Sequence, residues 1–174
     1  REVILSGEAY FDVVKDKSAP FIVRTESGNI EVLGTEFNIK CYSDETALVT
    51  TLVNGKVKFD DGINPSVILK PEEQLIFEKE NSQSIVRKVN ENHYISWKDN
   101  RLSFQGETLD MIMKTLSRWY NVEVVFEDST LKALEFSGNL DRFTDIQEFL
   151  SLFELGVNVK FEVKNRTVYI RKGN

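Results

Sequence analysis

The chain has 174 residues, of which 41% are hydrophobic and 29% charged, a globular composition that excludes a disordered chain. Its net charge of −6 argues against a nucleic-acid or anionic-membrane footprint, each of which needs a basic patch. No apolar run approaches the roughly 20 residues of a membrane span, and a single cysteine excludes an intrachain disulfide.

The chain opens on Arg1 rather than Met and runs at once into Val3, Ile4 and Leu5, as expected of a piece of a longer protein. No signal peptide is visible. From there to about residue 90 the pattern predicts an all-β domain. Alternating segments recur: Ala9, Phe11, Val13; Phe21, Val23; Ile30, Val32; Phe37, Ile39, Cys41; Val57, Phe59. Shorter apolar runs follow at Val67, Ile68, Leu69; Leu75, Ile76, Phe77; and Ile85, Val86. Turn signals separate them, among them Ser27-Gly28-Asn29, Asp61-Gly62 and Asn64-Pro65. Asn54-Gly55, set between Leu52-Val53 and Val57, is the strongest hairpin signal. Many short strands with frequent turns imply a sandwich, a β roll or a solenoid-like sheet. Cys41 falls on an apolar strand face and is expected to be buried.

A polar stretch at 80–95 marks the boundary, giving an all-β domain at 1–93 and a second domain at 94–174. In the second domain, Leu102 and Phe104 sit in a short strand. Leu109, Ile112, Met113, Leu116, Trp119 and Tyr120 then share one helical face. Asn121 ends that helix and a strand follows at 122–126. Another strand at 134–140 leads to Thr144-x-x-Gln147, a capping box reinforced by Asp145. Ile146, Phe149, Leu150 and Phe153 form the second helical face, and Gly156 stops it. Strands at 157–163 and 167–171 close the chain as a hairpin around Lys164, Asn165 and Arg166. The order is β-α-β-β-α-β-β, a β-α-β unit used twice, with helix starts at Thr108 and Thr144. One copy is too small to bury its own apolar face, so the two must pack together. The fold class is therefore α+β.

No residue set carries chemistry. His93 is the only histidine, and Cys41 lies in the other predicted domain, so neither a nucleophile–base couple nor a tetrahedral metal site can be built. Asp60-Asp61-Gly62 and Glu72-Glu73 lack the spacing of a calcium loop. Phosphate-binding, dinucleotide-binding and serine-hydrolase signatures are absent. Asn165-Arg166-Thr167 fits a glycosylation sequon, but the position wants Asn for turn geometry. The expectation is a non-enzymatic protein with no catalytic, cofactor-binding or metal residues. Trp97 is expected at the start of the second domain.

The strings Gly7-Glu8-Ala9-Tyr10-Phe11-Asp12-Val13, Val32-Leu33-Gly34-Thr35-Glu36-Phe37-Asn38-Ile39 and Leu69-Lys70-Pro71-Glu72-Glu73-Gln74-Leu75, in this order, resemble the FecR family of anti-sigma factors. Trp97, Leu102, Phe104, Leu109 and the duplicated β-α-β resemble the C-terminal domain of one subgroup, which is similar to the small signalling domain of secretins and TonB-dependent transporters. The resemblance implies the periplasmic region of a single-pass inner-membrane regulator. Its partner would be the N-terminal signalling domain of a TonB-dependent outer-membrane transporter. An extracytoplasmic-function sigma factor would be bound only through a cytoplasmic segment, and the membrane only through a helix, both absent from these residues.

The closing hairpin offers an edge for strand addition. Lys160, Glu162, Lys164, Arg166 and Arg171 are the candidate partner-binding residues. A carbohydrate-binding β domain, which would need an aromatic-lined groove, and a purely structural periplasmic module are the alternatives.

Overall fold

Period-two alternation in the first half becomes ten strands in the computed structural model, which describes residues 1–141 and 145–173. One sheet contains β1 (Glu2–Ile4), β3 (Phe21–Thr25), β4 (Gly28–Val32), β7 (Val57–Asp60) and β8 (Val67–Leu69), adjacent in that order. The other contains β10 (Gln83–Lys88), β9 (Glu73–Glu78), β6 (Ala47–Asn54), β5 (Thr35–Cys41) and β2 (Gly7–Val13). Alternate residues of both sheets meet in one core, where Val23, Ile30, Phe37, Leu48, Leu52 and Leu75 are fully buried. Each such side chain contributes about 1.5–3 kcal/mol relative to exposure. Phe59 of the first sheet meets Phe77 of the second, with ring centroids 5.0 Å apart. Cys41 is buried, as its strand position predicts.

The Asn54-Gly55 signal has a different outcome from the hairpin expected. β6 and β7 lie in different sheets, so this turn carries the chain across the core rather than folding it back. Gly55 has φ 95°, and a Cβ there would lie 2.8 Å from the Gly34 carbonyl oxygen and from Thr35 Oγ1. That close approach requires glycine for reasons unrelated to hairpin geometry.

A short helix, α1 (Asn92–Ile95), and a 3-10 turn (Ser96–Asp99) follow β10. Trp97 Nε1 donates to Asn38 Oδ1 at 3.2 Å, and Arg87 links Gln74 to the Tyr94 hydroxyl. The division between compact units falls after Lys98. Residues 94–98, assigned by sequence to the second domain, thus lie with the first, because Trp97 and Tyr94 satisfy polar groups of its second sheet.

The second unit runs β11 (Arg101–Thr108), α2 (Leu109–Tyr120), β12 (Glu123–Phe126), a 3-10 turn (Ser129–Ala133), β13 (Glu135–Asp141), α3 (Ile146–Glu154), β14 (Val159–Lys164) and β15 (Thr167–Lys172). The first strands of the two copies, β11 and β13, pair antiparallel. β15 lies between β12, which it meets parallel, and β14, which it meets antiparallel.

α2 forms where its stripe predicts: Leu109, Ile112, Met113 and Leu116 are buried. The Thr108 hydroxyl accepts from the Met111 N–H, and Asn121 ends the helix in the left-handed region at φ 53°. Thr144, the expected start of α3, lies outside the described residues; Asp145 caps the helix by accepting from the Gln147 N–H at 2.8 Å. Phe153 of α3 joins the copies. Its ring lies 6.1 Å from Phe104 and 4.9 Å from Phe136 on the two-stranded sheet, 5.4 Å from Phe149, and 6.3 Å from Phe161 on β14. The duplicated halves thus share one core, as the burial argument requires.

Candidate functional site

The three-stranded sheet of the second unit positions four of the five candidate residues on one face. Val159, Phe161 and Val163 of β14, Val168 and Ile170 of β15, and Val124 and Phe126 of β12 point to the core. Period-two alternation therefore sends Lys160, Glu162 and Lys164, with Thr167, Tyr169 and Arg171, to the opposite, solvent face. Val125 of β12 joins them and is 41% exposed.

The register places Lys160 directly opposite Arg171, and Glu162 opposite Tyr169. Like charges directly opposed across a ladder are mildly destabilising. The protein relieves this at one end only. Lys160 Nζ is drawn to Glu154 Oε2 at 2.6 Å, while Arg171 makes no ion pair among the described residues. Lys164 pairs with Glu162 at 3.0 Å and lies over the Tyr169 ring at 5.9 Å. The face thus mixes Lys160, Lys164 and Arg171 with Glu162 and Glu123, with an aromatic and an aliphatic side chain among them.

Arg166 does not belong to this face. Its Nε donates to the Asn121 carbonyl oxygen at 3.0 Å, and its own carbonyl accepts from the Glu123 N–H at 2.7 Å. It ties the hairpin turn to the end of α2. Nor is β15 an edge, because β12 covers its other side. The free edges of this sheet are β14 and β12.

The β14 edge is guarded. The Phe161 N–H, directed away from β15, donates to Glu154 Oε1 at 2.8 Å. The Val159 N–H is taken by the Val157 carbonyl. Of β14's outward donors, only Val163 is left without a partner among the described residues. Glu154 thereby serves both Lys160 and the strand edge, and these two hydrogen bonds, Lys160 first, hold its carboxyl below the usual range. Sequence reasoning missed Glu154, although one signal was present. It is an acidic residue in the last turn of a helix, where the dipole disfavours negative charge.

Among the described residues no group of three or more His, Cys, Asp or Glu side chains could hold a metal ion. No helix of the described residues is long and apolar enough to cross a membrane.

Two family models match the chain. The model described as FecR protein covers residues 1–58, and that described as FecR, C-terminal covers residues 101–170. No curated protein matches. Two crystal structures, at 1.65 and 2.50 Å resolution, of a protein from Parabacteroides distasonis provisionally assigned as an anti-sigma factor superimpose with a TM-score of 0.89. Each is 25% identical, and the match covers 100% of this chain and 81% of that one.

Proposed function

The chain belongs to the FecR family, and from that premise we propose that it is the periplasmic sensor region of a transmembrane anti-sigma regulator. In this reading it relays the state of a TonB-dependent outer-membrane transporter to an extracytoplasmic-function sigma factor by protein–protein binding. The second unit binds the transporter's N-terminal signalling domain. Sigma binding and membrane anchoring belong to segments outside these residues.

The observation that carries the reading is the solvent face of β12, β15 and β14. Lys160 and Arg171 are opposed across the ladder with Tyr169 and Val125 alongside. Arg171, which makes no ion pair among the described residues, set beside an aromatic and an aliphatic side chain is suited to an acidic, partly apolar partner surface. The carbohydrate alternative gains no such support: the two clefts described on the first sheet are lined by aliphatic, polar and charged side chains, with no aromatic ring for a sugar to stack on.

The test is sigma-dependent reporter transcription in cells carrying the full regulator with Lys164→Glu and Arg171→Glu. Both side chains are largely exposed, so folding is retained and induction by the transporter's ligand is lost. Undiminished induction by the double variant would remove this face from the pathway.

A further inference from the structure

A second surface, on the first unit, is built differently and does not depend on the reading above. The loop 14–20, the turn after β4 and the turn between β6 and β7 converge on a cleft of about 420 Å³ beside β8. Their convergence is tight. The Asp16 N–H donates to the Leu33 carbonyl at 2.8 Å, and a Cβ on Gly34 (φ 138°) would overlap the Lys15 backbone. Thr35 Oγ1 donates to the Lys56 carbonyl at 3.0 Å, fixing the second turn.

This scaffold sets Lys15, Lys17, Lys56 and Lys58 around the cleft, with Glu31 as the one acidic side chain lining it. Glu31 lies 3.8 Å from Lys58. Lys15, Lys17 and Lys56 make no ion pair among the described residues. A net-acidic chain therefore collects three uncompensated cations at one place. The floor is apolar: Leu33 is 41% and Ile68 46% exposed there. Ile68 belongs to β8, one of the two edge strands of the first sheet.

We propose that this cleft binds an extended acidic peptide segment of a protein partner. Its carboxylates face Lys15, Lys17 and Lys56, and an aliphatic side chain covers Leu33 and Ile68. A peptide is the occupant that uses all three features: the cations, the apolar floor and the strand edge, by adding alongside β8. An anionic membrane surface uses neither floor nor edge and is repelled by the net charge of −6.

The experiment is an amide chemical-shift titration of the protein with a short peptide alternating Glu and Val. A Gln-and-Val peptide is the control. The Glu peptide saturates shifts in residues 14–17, 33–35, 55–58 and 67–69, and the Gln peptide does not. Lys15→Glu/Lys17→Glu/Lys56→Glu weakens binding by about tenfold or more, as three surface charge contacts together imply. Leu33→Ser weakens it without changing charge. No saturation up to about 1 mM, shifts mapping elsewhere, or equal binding by the triple variant would overturn the proposal.

Discussion

Removing the Glu154 carboxylate should open the β14 edge, and the substitution chosen separates its two duties. Glu154→Gln keeps an acceptor for the Phe161 N–H but loses the Lys160 ion pair. Lys160 is 56% exposed at its side chain, so that loss costs about 0.5 kcal/mol or less. Glu154→Ala also strands the part-buried Phe161 N–H, adding about 1 kcal/mol. The expected order of stability is wild type, Gln, then Ala, spanning about 1–2 kcal/mol. Denaturant melts measure the span. Amide exchange at Phe161 measures the cause: exchange quickens in the Ala variant and stays close to wild type in the Gln variant. Acid should mimic the Gln variant, because the protonated carboxyl keeps an oxygen for the Phe161 N–H and loses the charge that pairs with Lys160. The carboxyl is held below its ordinary value by Lys160 and the Phe161 N–H. Its contribution is therefore complete above the unfolded carboxyl range and is lost as pH falls through the depressed folded value. Equal Phe161 exchange in all three proteins would refute the guard.

Other substitutions follow from the same structure. Thr50 is fully buried on the core side of β6, and its hydroxyl has no hydrogen-bond partner among the described residues. Thr50→Val should stabilise by about 1–2 kcal/mol, seen as a rise in melting temperature. Phe153→Ala, which empties the centre of the five-ring cluster, should cost about 3–5 kcal/mol and collapse the amide dispersion of the second unit. Asp128, hydrogen-bonded first by Lys172 and then by Thr130, has its carboxyl lowered to about 2. Carbon-detected titration should place it there. The stabilisation it confers is present above the unfolded carboxyl value and disappears as pH falls towards 2; Lys172→Met should return the titration towards the ordinary value.

Local signals in the sequence proved most informative where one residue type answers one local need. Thr108 and Asn121 bracket α2 because a hydroxyl at the start and a left-handed residue at the end satisfy backbone groups no other helix atom reaches. The hairpin at Asn165 follows for the same reason, with φ 56° at that residue. Long-range pairing was not legible. Nothing near Thr167 announces that β15 will run parallel to β12, with Glu123 opposite Thr167, yet this pairing takes β15 off the edge. Asn54-Gly55 carries the same local signal as a hairpin, yet the strands it joins pair in different sheets, a long-range outcome that no local residue reports. β10 is exposed along its whole length, so burial gave its pattern no definition, and Gln83 and Ser84 read as part of the polar boundary stretch. Of the candidate contact residues, alternation alone groups Lys160, Glu162 and Lys164. Arg166 departs because its partner, the Asn121 carbonyl, is 45 residues away in sequence.

The solvent face of the second unit is the surface proposed to bind the signalling domain of a transporter. The most direct test is calorimetric titration of this protein with the isolated N-terminal signalling domain of the TonB-dependent transporter proposed as its partner. The expected result is a saturable complex that Lys164→Glu with Arg171→Glu weakens by about tenfold while the melting temperature holds. Absence of heat at high micromolar concentration, or unchanged affinity in the double variant, would contradict it.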